Sequence, residues 1–179
     1  MKPSADAMEM QENGIGTLIA GYGNAWRGDD GAGPAVIARL EWRLRALHVN
    51  ATDEAARAVR CVAWRQLMPE HALELRGVDE AWLIDASVEL PAGDVAVQCI
   101  SAEPAPVVAD PFSHRWSPAL LLQLARQING DIPRMKLHTI GVAQLTTGAP
   151  LSPAVERAVE RLARRLIRRC ARRLATAPR

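Results

Sequence analysis

The sequence predicts an α/β fold, a three-layer sandwich in which a twisted, mostly parallel five-stranded sheet carries helices on both faces. Short apolar runs typical of buried strands alternate along the chain with longer segments whose apolar residues recur every three or four positions. The link between the third and fourth strand-like runs, residues 87–94, is too short for a crossover helix. We therefore expect strand 4 to run antiparallel at an edge, in the order 2-1-3-5-4.

The first half of the chain supplies three strands and two helices. Residues 16–23 are apolar and end in glycines, which favours a buried strand entering a tight turn. A single apolar stripe over residues 30–47 predicts the first helix. Residues 58–64 form the second apolar run, and residues 69–75, with proline at the first turn, predict a short helix. The third strand is expected over residues 81–86.

The second half completes the sheet and its helices. Residues 95–100 predict strand 4, and the stretch 102–117, rich in Pro, Ser and Ala, predicts a long loop. An amphipathic helix over residues 119–128 and a fifth strand over residues 135–143 follow. The last helix is expected to begin after Ser152, which serves as its N-cap.

Length and composition indicate one domain. The chain has 179 residues, of which 49% are hydrophobic and 23% charged, enough to fill one core. We assign residues 15–175 to a single α/β domain, with flexible segments at 1–14 and 176–179. The polar, acidic start lacks the pattern of a signal peptide, and no apolar run reaches the roughly 20 residues of a membrane-spanning helix, so we expect a cytoplasmic protein without membrane contact.

Charge is distributed unevenly. From Ser152 onward the chain carries nine arginines against two glutamates, a net charge of +7, whereas the preceding 151 residues carry −5. The basic segment has no aromatic residues to stack on bases, so a nucleic-acid partner is not expected. We interpret the arginines as a solvated helix face, with docking onto an acidic surface as the alternative.

The three cysteines do not indicate a disulfide or zinc framework. Cys61, Cys99 and Cys170 lie far apart, form no CxxC pair and are odd in number. We expect all three to fill space in the core.

The segment richest in candidate functional residues is 21–33, GYGNAWRGDDGAG, between strand 1 and the first helix. Its five glycines allow a sharp turn and close approach to a ligand. The spacing is not that of a dinucleotide fingerprint, and Asp29 and Asp30 would repel a pyrophosphate. Either carboxylate is equally consistent with capping the helix.

Two further residues are expected at the same edge of the sheet. Asp85 ends strand 3, and ligands of open α/β sheets gather at the carboxyl ends of the strands. Asp30 and Asp85 should therefore face one crevice, with His114 of the long loop on the same side. Asp85 as a turn former and His114 as an ordinary loop histidine remain alternatives. Together the three side chains are a mixed oxygen and nitrogen ligand set for a divalent ion such as nickel or zinc.

The motifs resemble those of the hydrogenase maturation proteases, endopeptidases that process the large subunit of nickel–iron hydrogenases. The resemblance begins with GYGNAWRGDDGAGPAVIARL and continues in family order through WRQLMPEHALEL, AWLIDASV, FSHRWSPALLLQLA, IGVAQL and LSPAVERAVERL. It covers roughly residues 16–166.

This resemblance implies a function and a set of site residues. Asp30, Asp85 and His114 match the family's metal-binding positions, and we expect them to be both the catalytic and the metal-contacting residues. The expected metal is nickel, carried by the large-subunit precursor, so the free enzyme can itself lack a metal. The precursor is the only expected partner, and the enzyme is expected to be a monomer. The reaction removes the precursor's C-terminal extension after nickel insertion. Residues expected to contact the substrate are Gly21, Gly23, Asn24, Asp29 and Gly31.

Two alternatives from other classes remain at this point. The same residues would serve a non-catalytic, metal-dependent chaperone that recognises the nickel-loaded precursor without cutting it. The glycine-rich segment would also suit a nucleotide-binding enzyme, although the charges of Asp29 and Asp30 oppose this interpretation.

Overall fold

Five strands form one sheet in the computed structural model, which describes residues 15–48, 59–102 and 116–176. The strands are β1 (Ile15–Tyr22), β2 (Val59–Trp64), β3 (Val78–Ser87), β4 (Val95–Ile100) and β5 (Arg134–Gly141). Their order is β2-β1-β3-β5-β4, with β4 antiparallel to β5 and every other pair parallel. The predicted architecture, strand order and strand direction are confirmed.

In the described part of the chain, two α-helices and two short 3-10 helices lie between strands, and a third α-helix follows β5. The α-helices are α1 (Ala32–His48), α2 (Pro118–Asn129) and α3 (Pro153–Thr176), and the 3-10 helices span Gly28–Gly31 and Pro69–Leu75. The first helix begins two residues later than predicted because its entry is the separate 3-10 turn. Among the described residues, no helix is both long and apolar enough to span a membrane.

Strand β3 begins three residues earlier than predicted. Its first positions include the charged residues Asp79 and Glu80, which hid the strand from a search for apolar runs. Glu80 is nevertheless buried, because it accepts a hydrogen bond of 2.9 Å from the indole Nε1 of Trp82 and lies 3.5 Å from Arg134. An acid that is paired in this way is compatible with a buried strand.

The sheet separates two hydrophobic cores. The α1/α3 core lies on one face, where helices α1 and α3 pack on the sheet; the α2 core lies on the other, under helix α2 and the 3-10 helix Pro69–Leu75. Alternation along β3 supplies both cores, since Trp82 and Ile84 enter the first while Ala81 and Leu83 enter the second. The apolar stripe of α3 is buried in the α1/α3 core and consists of Val155, Val159, Leu162, Leu166 and Cys170.

The cysteines differ from one another in burial. Cys170 is buried and Cys61 is partly buried, but Cys99 is exposed. The expectation that all three fill the core is wrong for Cys99, because β4 is the edge strand and its residues 96–99 are exposed.

Candidate functional site

The carboxyl ends of β1 and β3 lie side by side and define one edge of the sheet, which we call the carboxyl edge. Gly21 of β1 is the register partner of Ile84 of β3, so Asp85 follows immediately on the neighbouring strand. Helix α1 begins directly against both strand ends. A Cβ at Gly33 would lie 2.5 Å from the carbonyl oxygen of Tyr22 and 2.7 Å from that of Ile84, so only glycine permits this approach.

Asp30 is held at this edge by the turn that follows β1. Its Oδ2 accepts a hydrogen bond of 3.1 Å from the backbone N–H of Asn24, and the side chain is half-buried. Gly23 precedes that contact with φ +140°, and a Cβ there would lie 2.0 Å from the carbonyl oxygen of Asp30. The position of Asp30 therefore depends on the absence of a side chain at Gly23.

Asp29 is buried inside the fold. Its carboxylate accepts hydrogen bonds from the backbone N–H of Ser152 at 2.6 Å, the Ser152 hydroxyl at 3.0 Å and the backbone N–H groups of Gln144 at 3.0 Å and Ala143 at 3.4 Å. The residue is 0% exposed. Its carboxylate thus joins the entry of α1 to the segment between β5 and α3. The expected contact of Asp29 with the substrate stays a prediction.

The hydrogen bonds of Asp29 also determine its charge. Burial by itself raises the pKa of the carboxyl, but the bonds from Ser152, Gln144 and Ala143 together outweigh it, and the pKa lies below its ordinary value of 3.8. Asp29 is therefore a buried, fully ionised anion at neutral pH. The adjacent acid, Asp30, is by contrast half-buried.

Asp85 lies on the face of the sheet that carries α2. It is two residues beyond Leu83, which belongs to the α2 core, and alternation along the strand gives both the same face. Its Oδ1 accepts a hydrogen bond of 2.8 Å from the backbone N–H of Ala86, and the side chain is half-buried.

His114 lies outside the described residues, two positions before they resume at Trp116. Trp116 is partly buried and packs against the α2 core, on the face to which Asp85 belongs. Within ranges 15–48, 59–102 and 116–176, no three His, Cys, Asp or Glu side chains are close enough together to hold a metal ion. The structure therefore brings Asp30 and Asp85 to one edge, and the ligand role of all three residues stays a prediction.

The other residues expected to contact the substrate also make close contacts within the protein itself. A Cβ at Gly21 would lie 2.3 Å from the carbonyl oxygen of Gly33, so Gly21 permits close packing of β1 against α1. A Cβ at Gly31 would lie 3.0 Å from the Cα of Ala25. The side chain of Asn24 accepts a hydrogen bond of 3.0 Å from the backbone N–H of Trp26 and closes a local turn.

Two aromatic features beside the carboxyl edge were missed by the sequence analysis. At the end of β2, the rings of Trp64 and His71 stack with centroids 3.9 Å apart, and the carbonyl oxygen of Trp64 accepts a hydrogen bond of 3.2 Å from the N–H of Gly23. The second feature is Trp26, which is 79% exposed in the loop after β1. A large apolar ring within a polar loop was the available signal for Trp26.

His71 is fixed in one orientation beside this edge. Its Nδ1 accepts a hydrogen bond of 3.1 Å from the backbone N–H of Met68, so the neutral ring carries its proton on Nε2. Burial lowers the pKa of His71, although Glu74 and Glu70 oppose the shift. The ring is therefore neutral near pH 7.

Comparisons with known proteins identify solved structures that share this fold. No family model matches the chain, and no curated protein is similar to it in sequence. Solved structures do match. The NiFe hydrogenase maturation protease HycI from Thermococcus kodakarensis KOD1 superposes with a TM-score of 0.65 at 17% identity, covering 90% of this chain and 97% of its own.

Two further structures give the same result. The hydrogenase maturating endopeptidase HybD from E. coli has a TM-score of 0.64 at 19% identity, with coverage of 88% of this chain and 93% of HybD. The hydrogenase 2 maturation peptidase from Thaumarchaeota archaeon SCGC_AB-539-E09 has a TM-score of 0.55 at 22% identity, with coverage of 86% and 96%. The chain therefore has the fold of the hydrogenase maturation proteases.

Proposed function

We propose that this protein is a cytoplasmic, monomeric endopeptidase that removes the C-terminal extension of a nickel–iron hydrogenase large-subunit precursor once nickel has been inserted. One observation carries the proposal: Asp30 and Asp85 lie at the carboxyl edge, where strand order switches between β1 and β3, in a fold shared with proteins named as maturation proteases. Active sites of open α/β sheets lie at this kind of edge.

Nickel belongs to the substrate in this proposal. The carboxylates of Asp30 and Asp85 supply oxygen ligands and His114 supplies a nitrogen ligand, a set that suits a divalent nickel ion and leaves positions for the precursor's own ligands. Such an ion polarises the scissile carbonyl or lowers the pKa of a bound water, and a carboxylate that does not bind it tightly can accept a proton. Cleavage then requires nickel to be present, so it reports completed insertion.

The burial of Asp29 supports Asp30 as the acid that meets the substrate. All four hydrogen bonds to the Asp29 carboxylate come from residues 143–152, whereas Asp30 is half-buried and turns toward Asn24. Both carboxylate oxygens of Asp29 already accept hydrogen bonds, so neither is free to bind a metal ion. The two neighbouring acids thus have different tasks.

The direct test mixes the purified protein with a nickel-loaded large-subunit precursor and follows the precursor's mass. We expect the mass to fall by that of the C-terminal extension, and we expect no fall with a nickel-free precursor. Asp30→Ala, Asp85→Ala and His114→Ala should each lower the cleavage rate by at least about 100-fold, the usual scale for losing a group that stabilises or transfers charge.

Asp79→Ala is the matched control for Asp85→Ala. Asp79 is an exposed acid on the same strand but at its opposite end, so its loss should leave cleavage within about twofold of the parent. Normal cleavage by a folded Asp85→Ala variant would falsify the assigned role. An unchanged precursor mass despite binding would instead support the non-catalytic chaperone.

A further inference from the structure

The two flanks of helix α3 differ in how their charges are neutralised. On the flank toward α1, Glu160 accepts hydrogen bonds of 2.6 Å from both Arg43 and Arg164, and Arg39 pairs with Glu156. Arg39 also lies 3.5 Å from Glu160. The α1 flank is therefore a network of ion pairs that holds the two helices together.

The opposite flank carries arginines that no acid neutralises within the described part of the chain. Arg161, Arg165, Arg168 and Arg169 recur at three- and four-residue intervals, so they lie on neighbouring turns of one side of the helix. All four are exposed, and Lys136 of β5 adds a fifth cation. We call these five residues the basic flank.

Contacts show that the basic flank meets the sheet beside Trp82 and His138. The Arg169 guanidinium lies 5.3 Å from the centroid of the Trp82 ring, and Arg161 donates a 2.8 Å hydrogen bond to the carbonyl oxygen of Gly93. These contacts fix two arginines in place but remove no positive charge. Held cations of this kind lose less conformational entropy when a partner binds.

His138 reports the resulting electrostatic environment. It is 1% exposed, and its Nδ1 has no hydrogen-bond partner among the described residues. Burial, followed by Arg165, Arg169 and Lys136, lowers the pKa of this imidazole to about 4. The ring is therefore uncharged near neutral pH, and the positive charge of this region belongs to the arginines and the lysine of the basic flank.

The neighbouring edge strand adds an apolar strip. Val97 is the register partner of His138 and is 41% exposed, and the exposed Cys99 is the partner of Lys136. Paired residues of adjacent strands share a face, so this strip borders the basic flank. Trp82, by contrast, is 1% exposed and lies under Arg169, so it offers no ring on which a nucleic-acid base can stack.

We propose that the basic flank and the adjacent strip of β4 form a docking surface for an acidic segment of a partner protein. Carboxylates of the partner would pair with Arg165, Arg168 and Lys136, while an apolar side chain covers Val97. An acidic partner would bind at the basic flank and not at the α1 flank, because the arginines of the α1 flank are already paired with Glu156 and Glu160. The surface follows α3 from Gly93, which pairs with Gly141 at the C-terminal end of β5, to Lys136 in the amino-terminal half of that strand, and it does not include the ends of β1 and β3. The proposal does not depend on the proposed protease activity.

Lysine footprinting tests the location of binding directly. The chain contains only two lysines, Lys2 and Lys136, so reductive methylation followed by mass spectrometry compares a residue of the surface with an internal reference. The probe is a glutamate-rich peptide that contains a few leucines. We expect it to slow methylation of Lys136 by at least about fivefold and that of Lys2 by less than about twofold.

Matched charge variants test the arginines. In fluorescence anisotropy with the labelled peptide, Arg165→Gln/Arg168→Gln should raise Kd by about 10-fold or more, while Arg76→Gln/Arg126→Gln, two exposed arginines elsewhere, should change it by less than about twofold. Val97→Ser should weaken binding without changing its salt dependence.

Three outcomes would overturn the proposal. They are equal losses in the two double variants, equal protection of the two lysines, and stronger protection of Lys136 by a single-stranded RNA of the same charge. Each is measured without cleavage, so failure of the docking surface and failure of the protease assignment are distinguishable.

Discussion

Asp29 and Ser152 are 123 positions apart in sequence, yet the Asp29 carboxylate accepts hydrogen bonds from both the backbone N–H and the hydroxyl of Ser152, at 2.6 and 3.0 Å. Ser152 directly precedes helix α3, and Asp29 lies in the 3-10 turn that precedes α1. The two helices on one face of the sheet are therefore joined at their starts by one buried anion. The neighbouring residue, Asp30, remains at the carboxyl edge.

Replacing Asp29 should affect stability far more than replacing Asp30. We expect Asp29→Ala to lower the free energy of unfolding by about 3–5 kcal/mol, because four donors of residues 143–152 lose a charged acceptor in a buried site. Asp30→Ala should lower it by less than about 1 kcal/mol. Urea denaturation of the two variants beside the parent measures both values.

Acid titration provides a second measure of Asp29. Because its folded pKa lies below 3.8, its contribution is present above that pH and is lost as the pH falls through the lowered value. Asp29→Asn should therefore flatten the stability profile below about pH 4. An unchanged acid limb in this variant would contradict the assigned role.

Gly23 should tolerate no side chain. Gly23→Ala combines a strained φ of +140° with a Cβ only 2.0 Å from the backbone carbonyl oxygen of Asp30. The turn must therefore move, and it displaces the side-chain carboxylate of Asp30. We expect cleavage to fall by at least about 10-fold. The control is Gly130→Ala, where φ is +79° but no atom lies within 4 Å of the added Cβ, so only strain of about 1–2 kcal/mol is expected. Similar cleavage by both variants would argue against this account.

His138 should make the fold sensitive to mild acid. Its pKa is lowered to about 4, so the neutral ring is favoured in the folded state, and stability is fully present above about pH 6.5 and lost as the pH falls toward 4. The shift corresponds to about 3 kcal/mol across that window. His138→Phe should remove this part of the slope in denaturation measured from pH 7 to pH 4. Parallel slopes for the parent and the variant would show that His138 is not the group responsible.

The three cysteines should react with iodoacetamide at very different rates. Cys99 is exposed on β4, whereas Cys170 is buried. Burial, together with the neighbouring Cys170 and Glu41, raises the pKa of the Cys61 thiol to about 12. Only a thiolate reacts at a useful rate. Mass spectrometry of the folded protein at pH 8 should therefore find Cys99 modified first, and modification of all three should require denaturant. Early labelling of Cys61 would contradict the burial of its thiol.

The direction of β4 was predictable because it follows from the length of the link that precedes this strand. The seven residues between β3 and β4 cannot contain a crossover helix, and this is sufficient to place β4 antiparallel. The boundary of β3 was not predictable in the same way. Glu80 looks like a surface residue until its pairing with Trp82 is known, and that pairing depends on the packed structure.

The candidate site was predictable in its position but not in the division of labour between its two adjacent acids. Asp29 and Asp30 are indistinguishable in sequence, and either could cap a helix or meet a substrate. The donors that bind Asp29 come from residues 143–152, and no local pattern connects them with it. The stacking of Trp64 on His71 was likewise not predictable from the sequence, because it depends on the conformation of the turn that connects the two residues.

The contact between Asp29 and Ser152 also determines how late in its synthesis the chain can complete its fold. Residues 15–48 leave the ribosome long before Ser152 does, so the newly made amino-terminal half holds a carboxylate whose donors do not yet exist. Long-range closure of this kind is slow to form and cooperative once formed. A nascent chain cannot complete the hydrogen bonds of Asp29 until the last helix begins to emerge, and a fragment that ends before Ser152 should be unable to reach the native structure.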